Sequence, residues 1–146
     1  MTDSDSPSGE SSDRHPTGRL WLVVPVVGLY TADVAFTLSG QPSSYWAGDH
    51  TVVNEINPIG HALLAVGPWA FVGVAAVWVV VASAVVLLWR HRFADWGAKV
   101  LAVGHAIGGA CWLAQSGGWW FAAGCGYLVL AAMCAGWCWR QRGQTP

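Results

Sequence analysis

Four long apolar runs constrain the fold of this chain more than any other feature of its sequence. Each run has about the 20 residues that an α-helix needs to cross a bilayer. The runs cover about residues 20–39, 68–89, 97–115 and 119–139. Charged residues make up only 10% of the chain, whereas soluble proteins average about 25%. The sequence therefore predicts an all-α integral membrane protein, a four-helix bundle with up-down topology in contact with the lipid bilayer.

Polar segments flank the four runs. Residues 1–19 are rich in Ser, Asp, Gly and Pro, which predicts a disordered tail. This segment is too long and too acidic for the start of a secretory signal, so the first run is predicted to be an uncleaved span. Residues 140–146 form a second polar tail. The net charge of −1 gives no reason to expect a nucleic-acid partner.

The second apolar run is preceded by a shorter helical segment. Residues 59–89 would form a single helix about 46 Å long at 1.5 Å per residue, too long for an untilted crossing. Gly67-Pro68 should break it, and Asn57-Pro58 is a good helix start, with Asn as the cap and Pro as the first helical residue. We therefore predict a short helix at 58–66, either interfacial or re-entrant, before a span that begins at Pro68.

The basic residues predict the orientation of the bundle. They flank the N-terminus, the second loop and the C-terminus, and they are absent from the first loop and the third turn. The seven residues are Arg14, Arg19, Arg90, Arg92, Lys99, Arg140 and Arg142. The positive-inside rule then places both termini in the cytoplasm and the protein in the inner (plasma) membrane. Tryptophans near the span ends give two interfacial belts that agree with this orientation.

Asp33 is the acidic residue inside the first span. An acid within a membrane span is costly and commonly functional, so Asp33 is a candidate proton carrier, metal ligand or substrate contact. The alternative is a carboxyl group, protonated or ionised, that bonds to a neighbouring span. Tyr30, Asp33 and Thr37 are spaced so that they share one helix face.

Glu55 precedes the predicted short helix, near the same membrane surface as Asp33. If that helix dips inward, Glu55 approaches Asp33, and two close carboxylates would share a proton or bind a cation or histidine. Thr37 could then donate a hydrogen bond to either acid. In the alternative, Asn57 caps the helix and Glu55 favours its positive end. His61, one turn beyond Asn57, and His105, near the middle of the third span, are the candidate partners for the acids.

These residues together form the candidate polar cluster. Its members are Asp33, Thr37, Glu55, Asn57, His61 and His105. Four of them, Asp33, Glu55, His61 and His105, carry ligand types that suit Zn, Fe or Mn. No local metal-binding spacing such as H-E-x-x-H is present, so no cofactor is predicted and a divalent metal remains an alternative.

Small residues and cysteines in the last two spans predict packing rather than chemistry. Gly104-x-x-x-Gly108 is typical of a close helix contact, and His105 sits beside it. The four cysteines lack zinc or redox spacing and are expected to be buried apolar thiols. A pairing of Cys111 with Cys125 across the third turn is left open.

Asp33-x-x-x-Thr37, Gly40, Glu55-x-Asn57-Pro58 and a basic residue at the start of the third span occur in this order over roughly residues 28–110. This arrangement resembles a family of small prokaryotic multi-span membrane proteins without an assigned activity. The resemblance implies that the Asp33–Thr37 and Glu55–Pro58 segments contain the site. The loop between Gly40 and Glu55 is longer here than in that family.

The sequence is compatible with three classes of function. The first is a structural or interaction protein, alone, as a homo-oligomer or with a membrane protein partner, in which the polar cluster specifies packing. The second is a proton- or cation-coupled transporter. The third is a membrane-embedded metal-dependent enzyme that uses Asp33, Glu55, His61 and His105.

Overall fold

The fold is known from a computed structural model, which describes residues 16–89, 92–115 and 117–142. Over these residues the chain forms helices and no strands. The helices are α1 (Pro16–Ser39), α2 (Ser43–Trp46), α3 (Pro58–Val66), α4 (Pro68–Leu88), α5 (Arg92–Ala114) and α6 (Trp119–Arg142). By length and composition, α1, α4, α5 and α6 could each cross a membrane. The predicted all-α bundle of four candidate spans with a short helix after the first loop is confirmed.

Helices α1 and α5 form the centre of the bundle. Each packs against the other and against both α4 and α6, whereas α4 and α6 do not contact each other over the described residues. Small residues on one face of α5 allow the close approach. Ala98, Ala102, Ala106, Gly109 and Ala110 are all buried on this helix.

The helix ends show that spans which follow one another in the sequence run in opposite directions. Arg19, near the start of α1, donates to the carbonyl oxygens of Val86 and Trp89 at the end of α4, both at 2.7 Å. Asp95 in the first turn of α5 accepts from Arg142 in the last turn of α6 at 2.7 Å. We call this the charged end of the bundle, and the opposite end, which carries α2, the loop end.

These charged contacts correct the predicted tail boundaries. Helix α1 begins at Pro16 and α6 continues to Arg142, so residues 16–19 and 140–142 are helical rather than parts of the tails. The predicted tail residues 1–15 and 143–146 lie outside the described residues. The polar composition of these segments favours disordered tails. In the structure, however, Arg19 at the start of α1 lies 3.8 Å from Asp95, and the same acid binds Arg142 at the end of α6. The third span likewise begins at Arg92 rather than 97 because Asp95 suits the positive end of a helix.

The short helix has the bounds expected from its flanking sequence. The Oδ1 atom of Asn57 accepts a hydrogen bond from the backbone N–H of Ile59 at 3.0 Å, and Pro58 is the first helical residue. Gly67 then separates α3 from α4 with φ of 144°, a conformation that L side chains rarely adopt. Pro68 opens α4.

The first loop is folded against α3. It contains the short helix α2, which sequence patterns did not predict. The hydroxyl of the buried Tyr45 donates to the Leu64 carbonyl at 3.0 Å. The buried side chain of Gln41 donates to the carbonyls of Thr37 and Asn54 at 2.9 Å and accepts from the Asn54 N–H at 3.0 Å. These bonds fix the backbone that leads into Glu55.

Candidate functional site

The polar centre of the bundle is a pair formed by Asp33 of α1 and His105 of α5. Oδ2 of Asp33 lies 2.8 Å from Nδ1 of His105. The side chains are 20% and 23% exposed, respectively. Whether His105 Nδ1 donates to or accepts from Asp33 in this contact depends on the tautomer of the histidine. The two residues are 72 positions apart in sequence, so the fold alone brings them together.

Two adjacent glycines make room for this pair. A Cβ atom on Gly108 would lie 2.7 Å from Oδ1 of Asp33, and one on Gly109 would lie 3.1 Å from the hydroxyl of Tyr127. Gly108 and Gly109 of α5 therefore admit a carboxylate from α1 and a phenol from α6. Gly104, in contrast, has no atoms near its Cβ position, so the predicted close contact involves Gly108 and Gly109 rather than Gly104.

Two tyrosines surround the pair. The Tyr30 hydroxyl donates to the Ala75 carbonyl of α4 at 3.0 Å, and its ring meets the His105 ring edge-on at 4.6 Å between centroids. Tyr127 packs edge-on against Phe36 at 5.6 Å. Its hydroxyl is buried and has no hydrogen-bond partner within the described part of the chain.

Glu55 occupies a different place from the pair. Its Oε1 atom accepts from the backbone N–H of Asn57 at 2.7 Å, and its side chain covers Gly60, where a Cβ would lie 3.1 Å from Cγ of Glu55. This is the alternative arrangement at the start of α3, with Asn57 as the cap. Over the described residues, the hydrogen bonds and ion pairs do not join Glu55 to Asp33.

Over the described residues, the side chains of Thr37 and His61 make no hydrogen bond or ion pair with Asp33 or His105. Thr37 is buried, and its backbone carbonyl accepts a hydrogen bond from the side chain of Gln41. His61 is exposed on α3. The structure therefore brings together Asp33 and His105, and separately Glu55 and Asn57.

A metal ion would need more ligands than the pair offers. Within the described ranges, no three His, Cys, Asp or Glu side chains lie close enough to hold one. Asp33 and His105 supply two ligand atoms, and structural or catalytic zinc sites use at least three protein ligands. The cysteines are all free, and Cys111, Cys125 and Cys134 are exposed, which corrects the expectation of buried thiols for these three.

The first loop contains an acid in a well-defined hydrogen-bonded turn. Oδ1 of Asp49 accepts from the hydroxyl of Thr51 at 2.6 Å and from its N–H at 3.1 Å. The hydrogen bond from the Thr51 hydroxyl is the main reason why the pKa of Asp49 is lowered, with help from the backbone bond. Burial raises the pKa of Tyr45 in the same loop.

Sequence reasoning missed Tyr127 as a neighbour of the site. The available signal was a phenol within the fourth span, since a buried hydroxyl needs a partner. It also missed the role of Asp95, which lies in a predicted loop and binds arginines from two other spans.

Comparisons with protein-family models, curated proteins and solved structures give no match to this chain. The resemblance in the Asp33–Thr37 and Glu55–Pro58 segments thus stays a prediction.

Proposed function

We propose that this chain is a four-span protein of the inner (plasma) membrane, with both termini in the cytoplasm and a structural or interaction role. In this role the Asp33–His105 pair fixes how α1 and α5 pack. The contact of 2.8 Å between the two side chains carries the proposal, because it joins the two central helices of the bundle.

The energetics argue that the pair specifies an arrangement rather than maximising stability. An acid at the centre of a membrane helix costs roughly 2.5–3.5 kcal/mol. A hydrogen bond between spans recovers on average about 0.6 kcal/mol, and at most about 1.7 kcal/mol. Two apolar residues would therefore be more stable at these positions. Costly buried pairs are best understood through the register they select.

The neighbours of the pair support a role in selecting that register. Asp33 fits where Gly108 leaves space and His105 supplies a partner. A shift of one turn along α5 in one direction would put the carboxylate against Trp112. A shift of one turn in the opposite direction would place Asp33 beside Gly104, but Leu101 would then take the position of His105 and could not bond to the acid. One alignment of α1 on α5 satisfies both requirements.

A double-mutant cycle on thermal stability in detergent tests this role. Asp33→Asn and His105→Gln should be coupled by about 0.6–1.7 kcal/mol. The matched cycle of Asp33→Asn with Glu55→Gln should be additive within about 0.3–0.5 kcal/mol, as for residues without a shared contact. If the first cycle is as additive as the second, the pair does not fix the packing.

Proton-coupled transport is a second candidate, favoured by a cavity of about 340 Å³ at the loop end of the bundle. Phe36 of α1 and Gly40, which follows α1, line it about one and two turns beyond Asp33, and Trp112 of α5 lies two turns beyond His105. Phe36 also lies beside Gly109 and Tyr127. The cavity thus leads toward the pair, with Phe36 between them.

Proton flux into proteoliposomes that contain a pH-sensitive dye tests the second candidate. Transport through the pair requires flux in the wild type and its loss in Asp33→Asn, whereas Glu55→Gln should retain it. The double variant Asp33→Leu/His105→Leu separates the candidates: apolar packing should keep the protein folded while any flux through the pair disappears. Absence of flux in the wild type leaves the structural role.

A further inference from the structure

An apolar groove runs between α5 and α6, and we propose that it binds an acyl chain of an anionic glycerophospholipid, with its phosphate at Lys99. The groove has a volume of about 200 Å³. Residues of α5, α6 and α1 line it, including Ala102, Ala106, Ala132 and Trp139. This site is separate from the Asp33–His105 pair, and the inference goes beyond the proposed structural role.

The shape of the groove suits an extended chain. On α5, Lys99 shares one face with Ala102, Val103, Ala106 and Ile107, at spacings of three, four, seven and eight residues. This face runs about 12 Å along the helix at 1.5 Å per residue. Alanines form much of the lining, so the two helices leave a channel along their seam that is open to the surrounding bilayer.

The charge at one end of the groove selects the occupant. The ammonium group of Lys99 lies 5.6 Å from the centre of the Trp139 ring, which itself lines the groove, and 5.8 Å from that of Trp96. The two tryptophans suit the membrane interface, where headgroups lie. A phospholipid whose acyl chain lies in the groove would thus have its phosphate beside the ammonium group of Lys99.

Lys99 has no carboxylate partner over the described residues. Asp95, one turn earlier on α5, accepts from Arg142 at 2.7 Å and lies 3.8 Å from Arg19. One oxygen of this acid is therefore bonded to Arg142, and the other faces Arg19 at ion-pair distance. A lysine at the groove end with no carboxylate partner among the described residues favours an anionic lipid over a zwitterionic one, because a basic residue near the surface contributes about 1 kcal/mol to binding of an anionic lipid.

Native mass spectrometry of the full chain in detergent tests the proposal, with dioleoyl phosphatidylglycerol and dioleoyl phosphatidylcholine as the two probes. The wild type should bind the anionic lipid about fivefold more tightly, the factor that about 1 kcal/mol gives. Lys99→Met should remove this preference, and Lys99→Arg, which keeps the charge, should preserve it.

A second pair of variants tests the groove itself. Ala132→Leu fills the groove from an exposed position and should weaken binding of both lipids, whereas Ala122→Leu, at an exposed position on α6 outside the groove lining, should not. Equal affinity of the wild type for the two lipids would overturn the proposal, as would an unchanged preference in Lys99→Met. A dimer that Ala132→Leu disrupts would also overturn it, since the occupant would then be a second copy of the chain.

Discussion

Gly108 lies so close to the carboxylate of Asp33 that a Cβ atom at this position would be 2.7 Å from Oδ1 and 2.8 Å from Oδ2. The pair of Asp33 with His105 thus depends on a residue with no side chain on the neighbouring turn of α5. The carboxylate is held by His105, so it cannot move aside without losing that bond.

Gly108→Ala should therefore destabilise the protein by about 1–3 kcal/mol, the usual cost of overpacking. Gly104→Ala is the matched control one turn away, because nothing lies within 4 Å of its Cβ position. It should be neutral or stabilising by up to about 1 kcal/mol, since alanine favours helix. Thermal unfolding in detergent measures both. Equal effects of the two substitutions would show that Gly108 does not accommodate the acid.

The bundle and its site differ in how far the sequence predicts them. Apolar run lengths predict the four spans, and Asn57-Pro58 with Gly67-Pro68 predicts α3, because these signals are local. The partner of Asp33 depends on which faces of α1 and α5 meet, which local patterns do not determine. From the sequence, His105 and Glu55 are both candidate partners of Asp33. Hydrogen bonds from the Asn54 N–H to Gln41 and from the Asn57 N–H to Glu55 fix Glu55 at the start of α3 instead.

The positions of charged residues near the span ends differ from the sequence-based expectation for a similar reason. Arg19 and Asp95 appear as tail and loop residues in the sequence, because their contacts come from other helices. A polar segment predicts exposure to water, but it does not exclude a helix whose charges are paired across the bundle.

The proposed orientation predicts which segments face the cytoplasm. Single cysteines in the 43–50 segment, introduced into a variant without native cysteines, should react with an impermeant maleimide added outside intact cells. Cysteines at the exposed positions 92 and 93 should react only after the cells are permeabilised, because the basic residues favour the cytoplasmic side. The reverse labelling pattern would contradict the orientation.

Thr51→Val should raise the pKa of Asp49 toward its ordinary value, because it removes the hydroxyl bond that mainly lowers this pKa. Thr51→Ser, which keeps a hydroxyl, should leave the pKa low. A lowered pKa in the folded loop means that the turn is favoured above the ordinary pKa of Asp and is lost as the pH falls through the lowered value. Carboxyl NMR chemical shifts during an acid titration measure the pKa. No change in Thr51→Val would mean that the hydroxyl bond does not form in solution.

Tyr30 and Tyr127 both lie beside the Asp33–His105 pair, and we expect replacement by phenylalanine to affect stability in opposite ways at the two positions. Tyr30→Phe removes the bond to the Ala75 carbonyl and should cost about 0.5–1.5 kcal/mol of stability. Tyr127→Phe removes a buried hydroxyl without a partner among the described residues, so it should be neutral or stabilising, since an unpaired polar group carries a desolvation cost of about 1–3 kcal/mol. Both rings keep their edge-on contacts in the phenylalanine variants, so the comparison isolates the hydroxyl groups. Thermal unfolding in detergent at one pH measures the two effects. Destabilisation by Tyr127→Phe would show that its hydroxyl has a hydrogen-bond partner in the membrane protein. Oδ1 of Asp33 would be the first candidate, because it lies beside Gly108, next to the glycine that the Tyr127 hydroxyl contacts.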